Sequence, residues 1–211
     1  MNRLTPSERR LGAILCNAVL VSMQSVGLVM STISAGWGQF QYYTQDSNYF
    51  SMIVSVLFLL FVCRPANRGK PLPEWLAVCR FIATCLLTVT FTVIVFILSP
   101  PYGWAGFRFT LFTGENTFFH LLCPVLSFVS FFLFEDRPRA KHVPLLALIP
   151  TLVYAAVSVI LNVARVWSGP YDFLLVYKNP VWLSVVYAIV IVGGAYLAAF
   201  LLDLAKRRQK K

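Results

Sequence analysis

Thr117-Phe-Phe-His120-Leu-Leu-Cys-Pro124-Val-Leu-Ser-Phe-Val-Ser-Phe-Phe-Leu-Phe134 is an apolar run broken by one histidine and one proline. It is long enough, at 1.5 Å per residue, to cross most of the ~30 Å of a bilayer's hydrocarbon core. A chain with 58% hydrophobic and 12% charged residues lies outside the range of soluble domains. The other apolar blocks have the same character, and six spans are expected: about Leu11–Ile33, Tyr43–Cys63, Trp75–Leu98, Asn116–Phe134, Val143–Val166 and Val181–Leu204. The second reaches full length only when it starts near Tyr43 rather than Tyr49. The expected fold is therefore all-α, a polytopic six-transmembrane-helix bundle forming one integral membrane domain over residues 1–211.

The net charge of +10 is distributed by side rather than concentrated. Arg3, Arg9 and Arg10 precede the first span, and Arg64, Arg68 and Lys70 follow the second. Arg137, Arg139 and Lys141 follow the fourth, and Lys206, Arg207, Arg208, Lys210 and Lys211 close the chain. The opposite loops carry only Arg108 and Lys178. This alternation is the positive-inside pattern and predicts an N-in/C-in chain with no nucleic-acid partner. Arg80, near the basic end of the third span, reads as a snorkelling anchor. The cysteines (Cys16, Cys63, Cys79, Cys85, Cys123) lie in or at the ends of spans without metal-ligand spacing, so neither disulfide, metal nor other cofactor is expected. Gly193-Gly194-Ala195, with Ala198 and Ala199, reads as a close helix-packing face.

The loops away from the basic side, Ser34–Asn48, Ser99–Glu115 and Ser168–Pro180, are rich in aromatic residues, Gly and Pro. That composition suits an interfacial aromatic belt, or loops that dip back to roof an apolar cavity. Two polar stretches open spans from this side. In Gln41-Tyr-Tyr-Thr-Gln-Asp-Ser-Asn48, Thr44 and Asn48 share a helix face with Gln41 beside them, while Asp46 points away as a helix-start charge. In Glu115-Asn116-Thr-Phe-Phe-His120, the histidine stands about 6 Å below Asn116. Thr44 enters at a similar depth, so the topology allows a hydroxyl and an imidazole to meet. Pro124 frees the carbonyl of residue 120 and favours a kink there. Asn162 and Arg165 lie one turn apart near the end of the fifth span. Arg165 has three readings: snorkelling, pairing with Asp46, Glu115 or Asp172, or binding a substrate carboxylate.

Tyr43-Thr-Gln-Asp-Ser-Asn48, His120 followed by Pro124, and Gly169-Pro-Tyr-Asp-Phe173 resemble the androgen-induced-gene and androgen-dependent TFPI-regulating protein family and its bacterial relatives. The resemblance covers nearly the whole chain in span number and order. Asp46 is a departure from the family's Thr stretch, and the residues around His120 match by position more than by pattern. The resemblance implies an intramembrane threonine hydrolase (a lipid-ester hydrolase) that cleaves fatty acid esters of hydroxy fatty acids (FAHFA). Thr44 would be its nucleophile and His120 its general base. A threonine hydroxyl needs such a base at neutral pH. The spans offer no Asp or Glu as a conventional third member, so Asn48, Asn116 or a backbone carbonyl must orient the imidazole. Asn48, Gln41 or Asn162 would donate to the oxyanion, and Arg165 would hold a free carboxylate. The expected partners are a lipid substrate and the membrane, either plasma (or inner) membrane or endoplasmic reticulum, with the site on the extracytoplasmic side. The alternative is a non-catalytic lipid-binding or scaffold protein using the same cavity. A bis-histidine haem protein is disfavoured because His142 lies at the opposite edge, and a transporter because the spans carry few midplane polar groups.

Overall fold

The computed structural model describes residues 5–209, which leaves Arg3, Lys210 and Lys211 of the basic pattern outside the described residues. It is all-helical, with six helices long and apolar enough to span a membrane. In chain order the α-helices are α1 (Pro6–Ala35), α2 (Tyr43–Val62), α3 (Glu74–Val93), α4 (Gly103–Phe112), α5 (Cys123–Phe134), α6 (Val143–Val163) and α7 (Val181–Gln209). The short α4 is the addition to the expected six. The Ser99–Glu115 stretch, read as a loop, carries this helix, and α3 runs into it through a π-turn (Ile94–Leu98). Its aromatic residues give little amphipathic pattern, which is why composition alone suggests only a belt.

Local chemistry sets the ends. Thr5 and Glu8 form a reciprocal capping box at the start of α1, with Pro6 in the first turn where its missing N–H costs nothing. Where a freed residue-120 carbonyl and a kink are expected, the turn before Pro124, Thr117–Leu122, is a π-turn. The Cys123 N–H reaches back to the Phe118 carbonyl, and Pro124 has no N–H to offer, so the Phe119 carbonyl loses both possible helical donors. The Asn48 side chain of α2 donates to it at 3.3 Å. Gly27 of α1 makes room for this turn: a Cβ there would lie 2.6 Å from the Phe119 ring.

Helix α3 is the hub, packed against α2, α5, α6 and α7. Phe81 and Cys85 of α3 meet Phe131, Val143, Ala147, Ala199 and Leu202 in the largest apolar cluster. Ala195 and Ala199 pack closely as expected, but Gly193 and Gly194 face open space, with nothing within 4 Å of a Cβ placed on either. Large apolar side chains such as Leu15, Ile160 and Ile189 are exposed around the outside, the inverse of a soluble protein's surface.

At the end carrying both termini, two acids are buried with their cations. Glu135 accepts two hydrogen bonds from Arg80, at 2.8 and 2.9 Å, together with bonds from Ser130 and Asn17. Asp203 joins Arg137 and Arg207. Two expectations are corrected here. Arg80 is no snorkelling anchor; it is 1% exposed because a buried carboxylate, Ser55 and the Phe58 ring receive its guanidinium. Nor are the spans without acid, since Asp203 lies inside α7 and Asp46 inside α2. Both buried acids with cation partners, however, lie at the far end from His120.

Candidate functional site

Helix α2 and the π-turn bring Thr44 and His120 onto the wall of one cavity of about 700 Å³. That volume falls within the ~300–1,000 Å³ usual for small-molecule sites. Both residues are buried, at 5% and 9% exposure. Helix α4 roofs the cavity through Phe109 and Thr110, and α1 and the chain after α6 contribute Ser31 and Tyr171. No hydrogen bond joins the Thr44 hydroxyl directly to the imidazole among the described residues. The two groups face a shared space.

The imidazole has a fixed orientation. Its Nδ1 lies 2.7 Å from the Thr110 carbonyl. A carbonyl oxygen only accepts, so Nδ1 carries the hydrogen and the neutral ring keeps its lone pair on Nε2. Thr110 sits in the last turn of α4, where carbonyls lack helical donors, and side chains just beyond the helix bond two neighbouring carbonyls. Asn116 Nδ2 donates to the Phe109 carbonyl at 3.3 Å, and the Thr113 hydroxyl donates to the Arg108 carbonyl at 3.2 Å. The C-terminal end of α4 thus lies against the π-turn.

Thr44 has its own neighbour, which no pattern in the residues singled out for chemistry. Tyr171, in the Gly169–Phe173 stretch, faces the Thr44 side chain; burial pushes its phenol up to about 12, with the contact to Thr44 partly offsetting that rise. It stays protonated and able to donate at any physiological pH. Tyr171 is held by stacking on Phe173, with ring centroids 5.0 Å apart. Behind Thr44, on its other side, lies a smaller apolar pocket of about 140 Å³ lined by Val89, Val93, Tyr154 and Tyr187. Gln45 also lines the large cavity, and its buried Oε1 has no hydrogen-bond partner.

The remaining residues singled out from the sequence divide by location. Asn116 and Glu115 line the large cavity, with Glu115 accepting from Ser34 at 3.1 Å. Asn48 instead ties the Thr44 carbonyl, at 2.9 Å, to the π-turn, so it braces the site from behind. Gln41 lies on another cavity, where it accepts from Tyr154 and Trp167. Asn162 shapes the chain after α6, with its side chain bonded to Ser168 and Val176. Arg165 stacks over Tyr177, 4.8 Å from the ring centroid, on a separate cavity, and makes no ion pair with Asp46, Glu115 or Asp172. No group of three or more metal-ligating side chains occurs among the described residues. The cysteines present are all free.

Comparison with protein-family models, with curated proteins and with solved structures gives no match.

Proposed function

We propose that this chain is an integral membrane hydrolase of lipid esters, of the fatty acid–hydroxy fatty acid type, with Thr44 as nucleophile and His120 as general base. The observation that carries this reading is the placement of Thr44 and of His120, its ring tautomer held by Thr110, on one buried cavity. The ester carbonyl would lie beside the Thr44 hydroxyl, and the absence of a direct hydrogen bond to His120 before substrate enters is ordinary for such pairs. In the first step Thr44 Oγ1 attacks the ester carbonyl carbon while Nε2 of His120 takes its proton. The C–O bond to the leaving alcohol then breaks, and that oxygen receives the proton back. Water repeats the sequence to release the acid and restore the hydroxyl.

The α4 carbonyls supply what a triad carboxylate supplies elsewhere: they hold one tautomer and stabilise the imidazolium that forms. Tyr171 takes the oxyanion-donor role in this reading, in place of Asn48, Gln41 and Asn162, which lie elsewhere. The small apolar pocket behind Thr44 accepts the near end of an acyl chain, and the larger cavity accepts the alcohol portion. The basic end of the bundle is assigned to the cytoplasm by the charge pattern, so the site opens on the extracytoplasmic side.

Covalent labelling with a fluorophosphonate tests the reading. Wild type is expected to label, and Thr44→Ala and His120→Ala to lose labelling while unfolding at an unchanged temperature. Labelling that ignores Thr44, or none in the wild type, favours the second reading, a non-catalytic lipid-binding protein. The lack of a direct Thr44–His120 hydrogen bond is the observation on its side.

A further inference from the structure

We propose that the groove between α2 and α6 is a second site, distinct from the Thr44 cavity, for an amphiphile bearing a cationic ammonium head group. The groove encloses about 560 Å³, and α3 closes its back through Leu86. Its head end, near the start of α2, gathers the rings of Phe40, Tyr43, Tyr154 and Trp167 around one carboxylate, Asp46. Aromatic faces with a carboxylate are the chemistry that holds an organic ammonium.

Asp46 stands apart among the eight acidic residues. Glu8 accepts from Thr5, Glu74 from the Ala140 N–H, and Glu115 from Ser34. Glu135, Asp136, Asp172 and Asp203 each pair with an arginine or lysine. The half-buried Asp46 side chain alone has no hydrogen bond or ion pair among the described residues, and no lysine or arginine lines its groove. A half-buried carboxylate without a partner has lost part of its hydration, and a cation from outside the chain offsets that cost.

The rings are held in place in advance. The Tyr154 hydroxyl donates to the Gln41 carbonyl at 2.7 Å, and the Trp167 indole donates to the Gln41 side chain at 3.1 Å. Tyr43 packs edge-on to Tyr154 and bonds Thr151. One residue, Gln41, therefore clamps two walls of the cage. Below the head end the lining is apolar: Phe50 on α2, and Val157, Val153 and Pro150 on α6. From Leu161 to Pro150 the groove follows α6 for about 16 Å, roughly the depth of one bilayer leaflet. Head chemistry and tail length together select an amphiphile rather than a small soluble cation.

The test is saturable binding of radiolabelled dodecyltrimethylammonium, at tracer concentration, to the full chain in neutral maltoside micelles. The expected results are displacement by unlabelled dodecyltrimethylammonium, no displacement by dodecyl sulfate, and displacement by choline only at concentrations at least a hundredfold higher. Asp46→Asn and Trp167→Leu are each expected to weaken binding about tenfold, and Asp172→Asn, whose acid already has Lys178, to leave it unchanged. Trp167→Leu lies outside the helices and serves should Asp46→Asn fail to fold. Absence of saturable binding, equal displacement by the sulfate, choline as effective as the long-chain cation, or binding indifferent to both substitutions would overturn the proposal. None of these outcomes depends on whether Thr44 is a nucleophile.

Discussion

The two ends of the bundle differ in how they hold their buried ionisable groups. At the end with the chain termini, Arg80 and Glu135 are buried together with most of their hydrogen-bonding capacity matched, and Asp203 holds two arginines. At the aromatic end, His120 and Asp46 line cavities with no protein partner for the imidazole Nε2 or the carboxylate among the described residues, and Oε1 of Gln45 is buried with none. Polar groups that cross-link helices stabilise the fold, whereas those left open to a cavity destabilise it and await a ligand. On the function proposed above, the first end serves stability and the second holds the site.

The largest expected effect comes from breaking the lock. Glu135→Ala leaves the Arg80 guanidinium buried and alone, and should cost about 3–5 kcal/mol in detergent unfolding. The double change Arg80→Met with Glu135→Leu should cost much less, because no charge is stranded. The lock also has a pH signature. Burial alone would raise the Glu135 carboxyl, but Arg80 and the bonds from Ser130 and Asn17 outweigh it and hold it below its ordinary value of 4.5. Its contribution is therefore complete above about pH 4.5 and disappears as pH falls through the lowered value. Unfolding measured across pH 3–7 (roughly, the carboxylate range) should show an acid-side loss that Glu135→Leu removes.

An intermediate effect is expected at Gly27, which packs against the π-turn. Gly27→Ala drives a Cβ to 2.6 Å from the Phe119 ring, overpacking at a cost of about 1–3 kcal/mol. Because Phe119 belongs to the π-turn that carries His120, fluorophosphonate labelling should fall more steeply than stability does. The smallest effect belongs to the aromatic end. Gln45→Leu removes an unpaired buried oxygen and should change stability by less than about 1 kcal/mol in either direction, against the several expected at Glu135. A loss at Gln45 as large as that at Glu135 would erase the distinction between the ends.

The six long helices were readable because an apolar run of membrane length has few other uses, and the π-turn was foreshadowed by Pro124 lying four residues after His120. Arg80 was misread for a physical reason: a lone arginine near a span end looks the same whether it snorkels or pairs, and Glu135 stands 55 residues away. Helix α4 was hidden in aromatic and glycine-rich sequence that fits a belt equally well. Its last-turn carbonyl answers the question of what orients the imidazole, which the sequence could narrow only to Asn48, Asn116 or some backbone carbonyl. Tyr171 carries no signal of its own within Gly169–Phe173, since only the fold brings that loop to Thr44.

The most direct measurement is turnover of a fatty acid ester of a hydroxy fatty acid by the purified chain, wild type beside Thr44→Val, with the unfolding temperature taken on the same samples. Valine keeps the β-branched shape of threonine and replaces the hydroxyl with a methyl group. The account predicts that turnover is lost while the unfolding temperature moves by no more than about 3 °C, the shift of a sub-kcal/mol change in a chain of this size. Turnover that survives Thr44→Val, or a wild type with none, would contradict it.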